Sequence, residues 1–586
     1  MAGFGGDPHN GTLGTGGGGE GGFEPVFAVA GLIAAVFALS WVVWLAALVT
    51  AGLSGHGWHP ETVGAAVPFV WQLVTRHGAD IAWSSTAGAG GLGPVALFWA
   101  LAVVLLVLVL VPAVWLLVRM RARMRPEHGA RWARPADEKI MRVPADPLQR
   151  PNRLVAGYSA QTRRLLAAEP CASAIAFGPN GSGKTVSLVV PNALEWAGPA
   201  VITTAKGPDI DYMLTGRQKV GPVHIVAPVG LPGRETAGWS PVEYATDAEA
   251  ATRMARWLCE AAAMGDSTNA KPWITQARQL IAPLLLAAHY SGRGIDGFID
   301  YISRWDKAAD EVRDVLKTRG DADMVRQYNS VWQLHPDGVG SVKFTANTLI
   351  DAYLNSRVRA SAATSSFTAK EILDSNGTVF IVAPPSEADA LAPLFTALIM
   401  SLVYEAERAY EQLNITRPPG QPPQPLDPPL LLDLDEAGNV FRYPDLPRLS
   451  STGRGMGIQL LTIWHDLAQL IGLYGEQGAK TILSQAKIRM VLPSLFDDTT
   501  TDYFSKQMGQ TFVTRPSRTS SSDGRGSTTM SEREQPLIAP WEITEITAGR
   551  AVMRYSNLPP MRVKLRNAET EKGLLALATP DRKELA

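Results

Sequence analysis

Two long stretches of the chain contain no charged residue, and they dominate the pattern of hydrophobic and polar positions. The first spans residues 25–53 and the second residues 81–118, where leucine and valine prevail from residue 95 onward. A helix needs about 20 consecutive apolar residues to cross the hydrocarbon core of a bilayer. The pattern therefore predicts two transmembrane helices, at about 25–53 and 95–118, joined by the loop 54–94.

The segments that flank these stretches predict how they are oriented. Residues 1–24 are rich in glycine, which predicts a flexible tail. The loop 54–94 has one arginine, whereas arginines follow the second stretch at once, at Arg119, Arg121, Arg123, Arg125, Arg131 and Arg134. Because positive residues stay on the cytoplasmic side, we expect the loop outside the cytoplasm and both the N-terminus and all that follows residue 118 inside it. Residues 119–150 are then a basic juxtamembrane linker.

The pattern of the rest of the chain predicts an α/β domain with a helical insertion. Between residues 246 and 335 apolar positions recur at helical spacing, which predicts an all-helical insertion domain of about five helices. Residues 151–245 and 336–566 form the sheet domain around it, and residues 567–586 are a C-terminal tail. Segment 514–535 is rich in serine, threonine and arginine without periodicity, and we expect a mobile loop there. Strand-like runs occur at 174–177, 200–203, 223–226, 378–382, 430–436, 459–463, 550–555 and 561–565.

Composition limits the classes of protein that the chain can be. With 586 residues, of which 46% are hydrophobic, it is long enough for several domains. A net charge of −1 excludes a histone-like polycation but allows a local patch that binds nucleic acid. The two cysteines, Cys171 and Cys259, cannot form a disulfide framework or a multi-cysteine zinc site.

A phosphate-binding loop follows the strand at 174–177. Its sequence matches G-x-x-x-x-G-K-T in the strand–loop–helix context that this motif requires. Glycines let backbone N–H groups turn toward a phosphate, the lysine bridges the β- and γ-phosphates of ATP, and the threonine hydroxyl binds Mg²⁺. The predicted nucleotide-binding residues are Gly178, Pro179, Asn180, Gly181, Ser182, Gly183, Lys184 and Thr185.

The acidic partner of this loop is predicted at the end of the strand at 430–436. Asp435 would complete the Mg²⁺ site, and Glu436 would activate the attacking water as general base. This pairing suits a hydrolase and predicts a P-loop ATPase. Asp433 is an ambiguous neighbour, but strand alternation and the adjacent glutamate favour Asp435.

Two further residues are candidates for contact with the γ-phosphate. Arg454 follows Asp435 by nineteen residues on a glycine-flanked turn, where it could act across a subunit boundary or form an ordinary surface salt bridge. His465 ends the next strand, where it could sense the γ-phosphate or be purely structural.

The order of these parts resembles the TraG/TraD-type coupling proteins of conjugation and type IV secretion, which are related to FtsK/HerA translocases. The resemblance covers about residues 25–566 and includes GPNGSGKT, VITTAKGPD, LLLDLDEAGN and STGRGMGIQL. It implies a P-loop (RecA-like) NTPase sheet with an all-helical insertion domain, preceded by two transmembrane helices. It also implies a homo-hexameric, ATP- and Mg²⁺-dependent motor of the inner membrane. Its partners would be DNA, which we expect to be single-stranded, a relaxase or another secretion substrate, and inner-membrane components of the secretion system.

The chain departs from the family pattern at two places. The family's Lys-Gly pair is present at Lys206-Gly207. Thr204-Ala205 precedes it where the family usually has Asp-Pro, and Pro208 follows it where the family usually has Glu. His465 stands where the family commonly has a sensor glutamine, and this exchange predicts slower or pH-dependent sensing.

An ABC-type exporter would need an LSGGQ-like signature, which LSSTGRG is not. A secretion receptor for protein effectors and an FtsK-type pump for double-stranded DNA remain as alternatives.

Overall fold

The structure, a computed structural model, forms two compact units, Met1–Pro126 and Glu127–Ala586. The structure describes residues 24–58, 64–76, 78–87, 90–124, 129–264, 271–520 and 526–579. Residues 1–23 of the predicted glycine-rich tail, and Arg125, lie outside these ranges.

The first unit contains the two long apolar helices, with two short helices between them. They are α1 (Glu24–Leu53), α2 (Ala66–Arg76), α3 (Ala79–Ala87) and α4 (Val95–Met124). Segments Val36–Leu53 and Val95–Leu116 are long and apolar enough to cross a membrane. On α4 the side chains of Val107, Leu108 and Val111 are exposed, as expected of a surface that faces lipid. The predicted loop 54–94 is thus partly helical.

An aromatic cluster holds the short helices against α1. The rings of Trp44 and Trp83 stack at 5.1 Å between centroids, and Phe69 meets Trp44 edge-on at 5.2 Å. All three side chains are buried. Such ring pairs contribute about 0.5–1.5 kcal/mol each beyond the area that they bury.

The second unit is organised by one large sheet and one separate hairpin. The strands are β1 (Val155–Ser159), β2 (Leu165–Ala167), β3 (Ala174–Phe177), β4 (Ala200–Thr204), β5 (Val223–Val226), β6 (Thr378–Val382), β7 (Leu430–Leu434), β8 (Ile458–Trp464), β9 (Ile488–Val491), β10 (Gln510–Ser520), β11 (Gly526–Pro536), β12 (Arg550–Tyr555) and β13 (Met561–Lys564).

The order of strands in the large sheet is β2-β1-β13-β12-β9-β3-β8-β7-β4-β6-β5 within the described part of the chain. From β9 to β5 all neighbours are parallel, and β12, β13, β1 and β2 continue the sheet in antiparallel pairs. Successive residues of the central strands enter two apolar clusters, as Leu431 and Leu432 do, so both faces are covered. This explains why the strands are continuous hydrophobic runs.

Helices cover both faces of this sheet and form the insertion between β5 and β6. They are α5 (Val190–Glu195), α6 (Leu214–Gln218), α7 (Pro241–Tyr244), α8 (Ala248–Ala262), α9 (Lys271–Tyr290), α10 (Gly294–Arg304), α11 (Ala309–Thr318), α12 (Ala322–Trp332), α13 (Pro336–Asp351), α14 (Ser356–Ser361), α15 (Ala369–Asp374), α16 (Ala388–Ile415), α17 (Ala437–Val440), α18 (Leu446–Met456), α19 (Leu467–Gln485), α20 (Asp498–Met508), α21 (Pro540–Thr544) and α22 (Lys572–Ala578).

The structure differs from the sequence-based expectations in three places. The helical insertion does not end at residue 335, because helices continue to Asp374. Residues 514–520 and 526–535 of the predicted mobile loop lie in β10 and β11, which pair antiparallel with Gln510 opposite Pro536. Residues 521–525 of that predicted loop lie outside the described residues. The predicted C-terminal tail contains α22, whose Leu574 is fully buried.

Helix α16 is apolar enough to qualify as a membrane span, but it belongs to the core of the second unit. Of this segment, 78% is buried. Phe395, Leu398 and Leu402 lie in the same apolar cluster as the sheet residue Leu432 and the insertion residue Leu285. The helix therefore joins the insertion to the sheet in one continuous core.

Candidate functional site

The predicted site residues converge where three neighbouring parallel strands end. The phosphate-binding loop follows β3, His465 follows β8, and Asp435 with Glu436 follows β7. The strands are adjacent in the order β3-β8-β7, with Phe177 opposite Trp464 and Leu434 opposite Thr462. Ligands of open parallel sheets bind at this carboxyl edge.

The phosphate-binding loop has the backbone that only glycine adopts without strain. Gly181 and Gly183 have φ values of +85° and +82°. A Cβ on Gly178 would lie 2.6 Å from Ser182 Oγ and 2.9 Å from Leu492 Cβ, so no side chain fits there. After Lys184 the chain begins a helix with one π-helical turn, Thr185–Val189. The loop therefore directs its N–H groups and the helix N-terminus toward one point.

Lys184 and Thr185 contact the acidic strand end directly. The Thr185 hydroxyl donates to Asp435 Oδ2 at 2.6 Å. Lys184 Nζ donates to Glu436 Oε1 at 3.3 Å and lies 3.9 Å from Asp435 Oδ1. Both Lys184 and Asp435 are buried. A hydroxyl and a carboxylate that share one point are oxygen ligands of the kind that Mg²⁺ prefers.

The two buried aspartates at this strand end differ in their contacts. Asp433 is fully buried, and neither of its carboxyl oxygens has a hydrogen-bond partner within the described residues. Burial, and then the neighbouring charge of Asp435, raise the pKa of Asp433 well above its ordinary value, which favours the neutral form of this side chain. Burial also raises the pKa of Asp435, but there the charge of Lys184 and the hydrogen bond from Thr185 oppose the effect. Asp435 is therefore the carboxylate of the site.

Glu436 is held in a strained backbone conformation. Its φ and ψ are 52° and 47°, the left-handed region, which costs a non-glycine residue roughly 1–3 kcal/mol. The Glu436 N–H donates to Asp435 Oδ1 at 3.0 Å. The turn aims the Glu436 carboxylate at Lys184, and such strain persists only where surrounding contacts enforce it.

His465 lies within reach of the same lysine. Lys184 Nζ is 3.5 Å from His465 Nδ1. Burial and then the neighbouring Lys184 charge lower the pKa of His465, so the imidazole is neutral at neutral pH. Because an ammonium only donates, Nδ1 is the acceptor and the ring proton lies on Nε2.

Arg454 is not brought to this site within one chain. It lies in the last turn of α18 and not on a turn, because the helix continues until Gly457, which adopts φ 85°. It therefore precedes β8, at the amino edge of the sheet, where its Nη1 lies 3.0 Å from Glu169 Oε1. The prediction of a glycine-flanked turn is wrong; Gly453 is buried inside the helix.

A cavity and a larger cleft open from the phosphate-binding loop. The cavity, of about 170 Å³, is lined by the loop together with Ala205, Lys206, Asp209, Asp435 and Glu436. The cleft, of about 1360 Å³, runs from Gly181, Val186 and Ser187 to residues of β12 and β13 and the segment after β13. The Ala568 N–H donates to Val186 O at 3.0 Å, which fixes that segment beside the loop.

Three residues that the sequence did not single out also contact the site. Thr203, at the end of β4, donates its hydroxyl to Asp435 O at 2.8 Å. Asn439 donates to Glu436 Oε2 at 3.2 Å, and Gln469 donates to Asn439 Oδ1 at 3.3 Å. Asn439 and Gln469 follow Glu436 and His465 by about one helical turn, a spacing that could have suggested them.

Comparison with known proteins identifies relatives for most of this chain. The family model described as "Type IV secretory system Conjugative DNA transfer" matches residues 136–566. The chain is similar to the conjugal transfer protein TraG of Escherichia coli, with 25% identity over 397 residues, covering 63% of this chain and 61% of TraG. It is also similar to the protein VirD4 of Agrobacterium fabrum, with 23% identity over 434 residues, covering 67% of this chain and 58% of VirD4. The chain thus spans about three fifths of the length of these relatives.

Solved structures show the same fold. The bacterial conjugative coupling protein TrwBdeltaN70, in an unbound form, superposes with a TM-score of 0.55 at 18% identity, covering 76% of this chain and 95% of that one. The plasmid coupling protein TrwB in complex with ADP and Mg²⁺ gives a TM-score of 0.55 at 18% identity, covering 75% and 95%. The fold class predicted from the sequence is thereby confirmed.

Proposed function

Because the chain belongs to the type IV secretory system conjugative DNA transfer family, we propose that it is a membrane-anchored, ATP-hydrolysing motor of the coupling-protein type. It receives DNA, or a complex of DNA with a relaxase, and drives it into a secretion channel. The observation that carries this proposal is the contact of Thr185 with Asp435 and of Lys184 with Glu436 at one edge of the sheet.

In this proposal the loop residues 178–185 bind ATP through backbone N–H groups, and Lys184 moves from Glu436 to the β- and γ-phosphates. Thr185 and Asp435 hold Mg²⁺, which when bound neutralises phosphate charge. Glu436 accepts the proton of the attacking water. His465, neutral and next to Lys184, is placed to contact the γ-phosphate. The nucleoside extends into the cleft that begins at Val186 and Ser187.

We expect single-stranded DNA to stimulate ATP turnover by the purified, detergent-solubilised oligomer. A motor couples its hydrolysis to its track, and its grip on DNA must act mainly on phosphates, since a translocating grip cannot depend on base sequence. Binding should therefore fall steeply with salt, with a log–log slope of about −0.7 for each phosphate neutralised.

The measurement compares turnover with single-stranded DNA, with duplex and with neither. Stronger stimulation by duplex would favour a double-stranded DNA pump. A flat response, with no binding at low salt, would refute the DNA motor and favour a receptor for protein effectors.

We also propose that the motor is a homo-hexamer in which Arg454 reaches the nucleotide of a neighbouring subunit. Within its own chain Arg454 lies at the opposite edge of the sheet from Lys184, so a catalytic arginine here must act across an interface. Arg454→Ala should lower kcat about 1000-fold, the size of an arginine-finger effect. In mixed oligomers Arg454→Ala subunits should inhibit wild-type subunits and partly rescue Lys184→Ala subunits. Activity proportional to the wild-type fraction would contradict a role in trans.

The proposed orientation puts the N-terminus and the second unit in the cytoplasm, and segment 54–94 outside it. The arginines after Leu117 support this orientation. A cysteine introduced at Val70 should react with a membrane-impermeant maleimide in intact cells, whereas one introduced at Arg163, which is exposed, should react only after lysis. The reverse pattern of labelling would overturn the orientation.

A further inference from the structure

Two amide side chains connect the Glu436 carboxylate to the carboxyl end of β8. Asn439, on α17, donates from Nδ2 to Glu436 Oε2 at 3.2 Å. Gln469, in the first turn of α19, donates from Nε2 to Asn439 Oδ1 at 3.3 Å. Gln469 Oε1 in turn accepts from the backbone N–H of His465 at 3.3 Å. The four residues thus form one chain of hydrogen bonds between the ends of two neighbouring strands.

The chemistry of its two ends fixes the direction of every bond in this chain. An ionised carboxylate only accepts, so the Asn439 amide must present its NH₂ group to Glu436 and its oxygen to Gln469. A backbone N–H only donates, so Gln469 must present its oxygen to His465 and its NH₂ group to Asn439. Both ends require the same assignment, and hydrogen bonds aligned in this way polarise and strengthen one another.

The local backbone is shaped to bring these groups together. A Cβ on Gly438 would lie 2.7 Å from Cδ and 2.8 Å from Nε2 of Gln469, so glycine is required for the Gln469 amide to reach Asn439. On the other side, the Gln469 N–H donates to Asp466 Oδ1 at 2.7 Å, which fixes the start of α19. The Asn439 N–H donates to Glu436 O at 2.9 Å and closes the turn that begins at Glu436.

Lys184 and Asn439 hold different oxygens of Glu436. Lys184 donates to Oε1, whereas Asn439 donates to Oε2. In the proposed function Lys184 must leave Glu436 for the phosphates of ATP, and the carboxylate then loses one of the two side-chain donors that it has among the described residues. Asn439 does not line the cavity at the phosphate-binding loop, so ATP can bind there without breaking its bond to Glu436.

We infer that Asn439 and Gln469 are positioning residues that hold the Glu436 carboxylate in place for water activation and tie it to His465. This inference rests on the proposed ATP hydrolysis. It assigns Asn439 the task of restraining the general base after Lys184 has turned away, and Gln469 the task of fixing Asn439. A shift of the chain at His465 would be passed to Glu436 through the two amides.

The test measures kcat, KM and ATP affinity for the full-length, detergent-solubilised protein and its variants. Asn439→Ala, Gln469→Ala and Gly438→Ala should each lower kcat by about 10-fold or more, since small misplacements of a reacting group cost 10- to 100-fold. ATP affinity should stay within about twofold, because the phosphate-binding loop is untouched. The double variant Asn439→Ala with Gln469→Ala should be no slower than Asn439→Ala alone, because the two amides act in one chain.

Two further variants separate positioning from packing. Gln469→Glu keeps the volume and the acceptor for His465 but cannot donate to Asn439, so it should be as slow as Gln469→Ala. Gln477→Ala, at an exposed position of α19 beyond its kink at Gly475, is the matched control and should match the wild type. Wild-type-like kcat in Asn439→Ala and Gln469→Glu, or additive effects in the double variant, would overturn the inference and leave the proposed function intact. An absence of ATP turnover by the wild-type protein would overturn both.

Discussion

Glu436→Gln is expected to bind ATP with nearly unchanged affinity and to hydrolyse it at least about 100-fold more slowly. Glutamine keeps the size of the side chain and its oxygen toward Asn439, but it cannot accept a proton from water, and general base catalysis contributes about 100- to 10,000-fold. ATP affinity by fluorescence or calorimetry and turnover by phosphate release, measured on the same preparation, would separate binding from chemistry.

Asp433→Asn is the matched control for this variant, since it changes a carboxyl group two residues from Asp435 on the same strand. Because burial raises the pKa of Asp433 and favours its neutral form, asparagine keeps both the charge and the approximate volume, and turnover should stay within about twofold of the wild type. Full activity in Glu436→Gln, or a loss in Asp433→Asn equal to that in Glu436→Gln, would reject the assignment of the general base.

Lys184→Ala is expected to weaken ATP binding about 100-fold and, as a result, to abolish turnover at ordinary ATP concentrations. A hydrogen bond to a charged group contributes about 1.5–3 kcal/mol, and Lys184 would make such bonds to two phosphates. The substitution also leaves the buried Asp435 and the half-buried Glu436 without their cation, so the local repulsion adds to the loss. Equilibrium binding of ATP with Mg²⁺ is the measurement.

The control for Lys184→Ala is Lys487→Ala, at the amino end of β9. Lys487 Nζ lies 3.7 Å from Glu169 Oε1 at the edge of the sheet opposite the phosphate-binding loop. Its loss should leave ATP binding unchanged. If Lys184→Ala bound ATP as tightly as Lys487→Ala does, the loop residues 178–185 would not be the nucleotide site.

The carboxyl-edge site was predictable from the sequence because two independent signals point to it. A phosphate-binding motif follows one buried strand, an acidic pair follows another, and parallel strands bring their carboxyl ends together. Thr185 and Asp435, 250 residues apart, accordingly share a hydrogen bond of 2.6 Å. The spacing of Asn439 and Gln469 from Glu436 and His465 could have suggested each of them, but nothing in the sequence pairs two amides on separate helices, so their mutual contact had no such signal.

The errors have equally specific causes. Gly453 and Gly455 suggested a turn at Arg454, but the helix is stabilised by burial of Leu449 and Gly453 and ends only where Gly457 takes a positive φ. Strands β10 and β11 were missed because they lack alternation of apolar and polar residues, which is the main signal for a strand. The insertion seemed to end at residue 335 because Gly338 and Gly340 weaken the helical pattern of α13.

Helix α16 has a consequence for how the protein is made. It is apolar enough to be taken for a third membrane span, and it contacts α17 and α18, which come later in the chain. Until those later helices fold onto it, part of the apolar surface of α16 is uncovered. The insertion machinery that accepts α1 and α4 must therefore reject α16. Helix α8, which precedes α16 in the chain and packs against it, is the first of these helices that can cover its apolar surface.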